Sequence, residues 1–211
     1  MLLLTITITA QTVYELMPGT KGNEIVLQLT NVSETEIAND LVVKILKGSE
    51  HLEFNKADEF VTKVESSSEK EISFTFDVKY NTNANVTDTV EFLVTNNKNI
   101  FVTKLFIFNY VGPKEYALEQ NFPNPFNPST KIRYTVPDLG TNPQVMLKVY
   151  DILGNEIETL VNEKQVPGYK EVDFNAKRLA SGVYIYRLTA DDPSKNSNQV
   201  FVSVKKMMLI K

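Results

Sequence analysis

His51 is the single histidine of this 211-residue chain, and no cysteine is present. A histidine can serve as a general base or metal ligand, but both tasks need partners held in a cleft. His51 stands between Glu50 and Leu52 on a polar segment that reads as a solvent-exposed loop. Serine nucleophiles such as Ser181 lack a base, and Ser181 already fits a turn. The eight glycines are scattered singly, so no phosphate-cradling loop is present. Glu69, Glu71, Asp77, Asp88 and Glu91 read as a solvated sheet face rather than an acid/base pair. Asp191, Asp192, Ser194 and Asn196 offer hard oxygens that could bind calcium, although a long hairpin around Pro193 explains the same residues. Asn31-Val32-Ser33 and Asn85-Val86-Thr87 have glycosylation spacing, a pattern common by chance. Nine Tyr and twelve Phe alternate with polar residues as core aromatics do, and no Trp is available for a sugar platform. The expectation is a non-enzyme with no cofactor and no metal site.

The chain is organised instead around Asn121-Phe122-Pro123-Asn124-Pro125-Phe126-Asn127-Pro128-Ser129-Thr130. Each proline fixes its φ, removes a donor and pushes the preceding residue towards an extended conformation. That excludes a helix and a sheet interior, and leaves a stiff extended lead-in in which asparagine side chains start turns. Phe122 and Phe126 are both expected to plug into the domain that follows.

Around this stretch the pattern is strands and turns. Leu4, Ile6 and Ile8 alternate with threonines, which predicts a half-buried strand, with the stub of a secretory signal as the alternative. Strands follow at Glu24 to Thr30, Leu41 to Leu46, Phe60 to Val64, Lys70 to Val78, Asp88 to Val94 and Ile100 to Tyr110. Ile37, Leu41 and Ile45 would also line a helix face, but β-branched residues and Gly48 favour a strand. His51 to Asp58 reads as a turn or helical turn. In the second half, strands read at Lys131 to Val136, Val145 to Tyr150, Glu156 to Val161, Tyr169 to Phe174, Val183 to Thr189, Gln199 to Val204 and Lys206 to Ile210. Leu153-Gly154-Asn155 is a hairpin turn, and Pro167-Gly168 turns the chain into the next strand. Val183 and Ile185 are expected to face the core, with Tyr184 and Tyr186 on the other face.

Short strands at turn-punctuated spacing, with no long helix, predict an all-β protein of two immunoglobulin-like antiparallel β-sandwich domains in tandem, 1–113 and 114–211. Residues 1–113 carry nine Lys against fifteen Asp and Glu, a balance of −6, whereas 114–211 stand at +2. This charge step and Gly112-Pro113 mark the boundary. Neither half is basic enough for a nucleic-acid footprint, and no apolar run is long enough for a membrane helix.

The proline-rich stretch, with Leu118-Glu119-Gln120 before it, resembles the opening of the C-terminal sorting domain of type IX secretion cargo, type A, of the Por secretion family. A second block looks like Leu147-Lys148-Val149-Tyr150-Asp151-Ile152-Leu153-Gly154 followed by Val161-Asn162. A third looks like Leu179-Ala180-Ser181-Gly182-Val183-Tyr184-Ile185-Tyr186-Arg187-Leu188, and the closing strand like Lys205-Lys206-Met207-Met208-Leu209-Ile210-Lys211. The order Tyr14, Pro18-Gly19, Ile25 to Asn31 loosely resembles surface Ig-like modules that precede such domains. The sorting motif then comprises Asn121, Pro123, Asn124, Pro125, Phe126, Asn127, Pro128, Asp151, Gly154, Ser181, Gly182, Tyr184, Lys205, Lys206 and Lys211. The resemblance implies a small Ig-like sandwich recognised by the type IX translocon. It further implies passage through the periplasm, release or retention at the cell surface, and surface-attachment machinery that usually removes the tail and joins the cargo to lipopolysaccharide. The first domain is then a spacer or, alternatively, an adhesive or carbohydrate-binding module. Lys205, Lys206 and Lys211 bracket the closing apolar run, blunting an edge strand against aggregation and suiting an acidic receptor groove.

Overall fold

The computed structural model describes residues 4–6, 13–191 and 200–211. The chain divides into two units, Met1–Lys79 with Asn85–Val111, and Tyr80–Ala84 with Gly112–Lys211. Tyr80–Ala84, placed in the first domain by the sequence reading, thus belongs to the second unit.

The first unit contains β1 (Leu4–Ile6), β2 (Val13–Leu16), β3 (Asn23–Asn31), β4 (Ala38–Lys47), β5 (Leu52–Phe54), β6 (Asp58–Val64), β7 (Ser68–Val78), β8 (Thr87–Thr95) and β9 (Phe101–Tyr110). They form two sheets, β1-β3-β7-β5 and β2-β9-β8-β4-β6. Alternation decides the register. Along β7, Ile72, Phe74, Phe76 and Val78 are buried, while Glu71, Ser73, Thr75 and Asp77 point outwards. Leu27 and Leu29 of β3, Leu41 and Val43 of β4, and Phe92 of β8 complete the layer between the sheets. Each such burial contributes about 1.5–3 kcal/mol. Leu41 and Val43 settle the helix-or-strand ambiguity in favour of a strand. The expected turn at 51–58 is instead interrupted by β5, which pairs with β7; three residues are too few for periodicity to register. Only 4–6 of the expected N-terminal strand are described, pairing antiparallel with β3; Ile8 lies outside the described residues.

The second unit contains β10 (Ala117–Leu118), β11 (Ser129–Val136), β12 (Gln144–Tyr150), β13 (Glu156–Lys164), β14 (Gly168–Asn175), β15 (Gly182–Asp191) and β16 (Val200–Leu209). Its sheets are β10-β11-β14 and β13-β12-β15-β16, enclosing Ile132, Tyr134, Leu147, Val149, Phe174 and Leu188. The two strands expected at 199–204 and 206–210 are one continuous strand, β16, because no turn residue separates them. Asp192, Ser194 and Asn196, read as a hairpin with hard oxygens that could bind calcium, lie outside the described residues.

The expected facing of β15 is reversed. Tyr184, Tyr186 and Leu188 are buried, whereas Val183 is 39% exposed and Ile185 half-buried. Both phenols find backbone partners: Tyr184 donates to the Ala180 carbonyl at 2.8 Å and Tyr186 to the Glu119 carbonyl at 2.7 Å. With its hydroxyl satisfied, a tyrosine ring buries more apolar area than valine or isoleucine. Tyr184 is thereby a tyrosine corner, bonding back four residues at the start of its strand as immunoglobulin-like sandwiches do.

In the same unit Gly168 opens β14 at φ 147°, where a Cβ would stand 2.9 Å from both Asn83 Cα and the Thr82 carbonyl. The close approach of two backbones requires glycine there. Parallel pairing recurs in both units. β2 runs parallel to β9, and Phe126 bridges in parallel to Leu209. Each unit is an all-β, immunoglobulin-like sandwich.

Candidate recognition site

The lead-in folds around Asn121, which is buried although fully polar. Its amide nitrogen Nδ2 donates to the Pro123 carbonyl at 3.0 Å and to Thr130 Oγ1 at 2.9 Å. Thr130 Oγ1 in turn donates to the same Pro123 carbonyl at 2.8 Å. The Asn121 backbone N–H donates to the Tyr186 hydroxyl at 2.8 Å. Burial pushes the Tyr186 phenol up to about 12, with the Asn121 N–H opposing and Glu119 adding to the rise. The Pro123 carbonyl lies outside the strands and so has no ladder donor of its own. Asn121 and Thr130 supply the missing donors, which explains a buried polar pair next to prolines.

From there the lead-in runs along β16. Gln120 Nε2 donates to the Lys206 carbonyl at 2.7 Å. The Met208 N–H donates to Asn124 Oδ1 at 2.9 Å, the Phe126 N–H to the Met208 carbonyl at 2.9 Å, and the Ile210 N–H to the Phe126 carbonyl at 3.0 Å. The side chain of Phe126 is buried against Phe174 at 6.0 Å between ring centroids. Phe122 is 78% exposed, contrary to the expectation that both phenylalanines plug in. Its backbone pairs in both directions with Lys131 of β11, and this turns the ring outwards. Pro123, Asn124, Pro125 and Asn127 are exposed, and the Pro128 carbonyl accepts from the Ala176 N–H at 2.9 Å.

Beyond β16, Lys211 N donates to Ser181 Oγ at 3.1 Å and Lys211 Nζ to the Lys177 carbonyl at 2.9 Å. Ser181 thus has a structural partner. Gly182 pairs with Leu209, Lys205 with Tyr186, and Lys206 with Ile185. Lead-in, third block and closing strand therefore interlock. The second block joins them through β12, which pairs with β15 from Val145 opposite Ala190 to Tyr150 opposite Ile185 and so places the turn after Tyr150 at the same end of the sheet. There Asp151 accepts from the Leu153 and Asn155 amides, each at 2.9 Å, and from Asn155 Nδ2 at 2.8 Å. The Asn155 side chain holds its carboxyl below the usual range, with burial opposing and the turn amides adding to the effect. Gly154 follows at φ 86°.

Thr130, Gln120 and Tyr186 belong to this site although the sorting motif expected from sequence does not include them. The alternating Tyr184-x-Tyr186 pattern was the available signal, and the apolar character of Val183 and Ile185 obscured it.

His51 and Asp88 also depart from expectation, being neither a free loop histidine nor a solvated carboxylate. Their side chains are 21% and 22% exposed, with His51 Nδ1 3.0 Å from Asp88 Oδ2. Ser49 also donates to Asp88, as does Tyr110 at 3.2 Å. Burial would raise the Asp88 carboxyl, but the hydrogen bonds from Ser49, His51, the Thr89 amide and Tyr110 prevail and hold it low. The serine faces the carboxylate rather than the imidazole, unlike a base-activated nucleophile. Among the described residues, no group of three or more His, Cys, Asp or Glu is placed to hold a metal ion.

Residues 120–203 match the family model described as "Secretion system C-terminal sorting domain", so a Por secretion system sorting domain occupies that stretch. No curated protein matches the chain. Among solved structures, dimeric latent PorU from Porphyromonas gingivalis aligns at 17% identity and TM-score 0.37, covering 100% of this chain and 20% of PorU. The calcium-binding domain CBD12 of CALX1.1 aligns at 8% identity and TM-score 0.36, covering 83% of this chain and 76% of that one. The C. elegans MSP family member WR4 aligns at 10% identity and TM-score 0.27, covering 46% and 90%.

Proposed function

We propose that the chain is a non-catalytic C-terminal region of a secreted bacterial protein. Its second unit is the export and cell-surface sorting signal read by the type IX translocon, and its first unit is a spacer. The observation that carries this reading is the convergence of sequence blocks at 121–130, 151–155, 179–188 and 205–211 on one end of a single sandwich. Packing alone requires no such gathering of exposed asparagine, proline and lysine. Surface-attachment machinery acting after export, with lipopolysaccharide as acceptor, follows from the same reading.

The test places the full chain behind an inner-membrane export signal in a bacterium that has the type IX system. Deleting Lys205 to Lys211 is expected to leave the first unit folded and to strand the product in the periplasm. Surface display of the deleted form at the level of the intact chain refutes the assignment.

A second reading, an adhesive or carbohydrate-binding first unit, draws on two exposed aromatics. Phe60, Val42, Thr95 and Phe101 stand opposite one another across β6, β4, β8 and β9, and Phe60 and Phe101 are both exposed. Glycan-array binding that disappears in Phe60→Ala/Phe101→Ala supports it; absence of binding leaves the spacer.

A further inference from the structure

The turn between β12 and β13 holds two large aliphatic side chains in water. Ile152 is 69% and Leu153 is 83% exposed. They sit on a fixed platform rather than a slack tip. Besides the three bonds to its carboxylate, Asp151 accepts at its carbonyl from the Gly154 N–H at 3.2 Å and donates its own N–H to the Asn155 carbonyl at 3.0 Å. Neither side chain joins the core. Their exposed area adds nothing to folding and lowers solubility. Preorganised apolar groups of this kind are what anchors at protein interfaces look like before docking, because little order remains to be imposed on binding.

The surroundings carry charge of both signs, on opposite sides. In the sheet order β13-β12-β15-β16, the turn has Glu158 of β13 exposed on one flank, beside Glu156, which is paired with Lys148 at 2.8 Å. On the other flank lie Lys206, Lys211 and, before β15, Lys177 and Arg178, all exposed. A uniformly anionic bilayer would be repelled on the β13 side, whereas a protein rim can match both signs.

We propose that Ile152 and Leu153 anchor the second unit in an apolar cleft of a protein partner whose rim is acidic towards β16 and basic towards β13. The proposal rests on the sorting reading and identifies the element of the domain that the export machinery grips. The full chain, carrying the same export signal in the same host, is compared in three forms: unaltered, Ile152→Ser/Leu153→Ser, and lacking Lys205 to Lys211. The double-serine form is expected to melt as the unaltered chain does, since all the turn bonds come from backbone, Asp151 and Asn155. Its surface yield is expected to fall about tenfold or more, as the loss of an interface anchor gives. Ile152→Leu/Leu153→Met, which keeps the apolar tip, should restore export. It also serves if the serine form proves unstable, because export by the apolar pair and failure of Leu153→Thr alone make the same distinction.

Full export of the double-serine form, with the deletion still blocked, overturns the anchor and leaves the sorting reading standing. Full export of both forms removes the sorting reading, and the anchor with it. Two further outcomes also overturn the proposal by reassigning the occupant. One is flotation of the unaltered chain, but not the serine form, with phosphatidylglycerol vesicles. The other is a dimer in light scattering that the serine form loses.

Discussion

Replacing Tyr186 with Phe removes one oxygen from a ring that is otherwise enclosed. That oxygen donates to the Glu119 carbonyl at 2.7 Å and accepts from the Asn121 N–H at 2.8 Å. The two bonds are not equivalent. Glu119 is exposed, so water can replace the phenol at its carbonyl; Asn121 is buried, so its N–H is orphaned. A net hydrogen bond is worth about 0.5–1.5 kcal/mol, and an unsatisfied buried donor costs about 1–3 kcal/mol. The expected loss is therefore about 2–3 kcal/mol. Tyr184→Phe should cost only about 0.5–1.5 kcal/mol, because its acceptor, the carbonyl of exposed Ala180, can turn to water. Denaturant unfolding followed by NMR, with resonances of the second unit read separately from those of the first, measures both without assuming one transition. Amide exchange at Asn121 is the sharper probe, and it should accelerate in Tyr186→Phe. A loss below about 0.5 kcal/mol, within the scatter of ordinary surface substitutions, together with unchanged Asn121 exchange, would refute the argument that this phenol secures the lead-in.

Other outcomes follow from the register and the ion pairs. Leu188→Ala should cost about 2–5 kcal/mol and Val183→Ala less than about 0.5 kcal/mol, and the opposite order in unfolding experiments would restore the facing expected from sequence. Glu171 is held low: burial opposes ionisation, but Lys131 at 2.6 Å and Arg133 at 2.8 Å prevail. Its folded value lies below its unfolded one, so the stabilisation is present above about pH 4.3 and disappears as the pH falls through the folded value. Glu171→Gln should flatten the acid limb of the second unit's melting profile, and an unchanged limb would exclude this carboxylate. Spectrophotometric titration should find Tyr110, Tyr134 and Tyr186 ionising only near pH 12, where burial has pushed each of them, and ionisation near 10 would mean that these rings are solvated.

The alternation along β7 and the turn at Gly154 were legible because each depends on neighbours a few residues apart. The facing of β15 was not, since Val183-Tyr184-Ile185-Tyr186 offers apolar groups on both sides. The choice was made by carbonyls at Ala180 and Glu119, the latter 67 residues away. His51 looked exposed for the same reason. Its partner Asp88 is 37 residues distant and reaches it only through the pairing of the sheets. Local pattern also misassigned Phe122, whose outward turn follows from its backbone pairing with Lys131.

The parallel bridge between Phe126 and Leu209 joins segments that leave the ribosome, and would enter any pore, far apart in time. Closing a loop of that length is slow and is rewarded only when both ends are present. A chain threaded halfway across a membrane has the proline stretch but not its partner, so Asn124, Phe126 and Ser181 are not yet in their positions. Anything that recognises that end of the sandwich responds to the finished fold rather than to a word in the sequence.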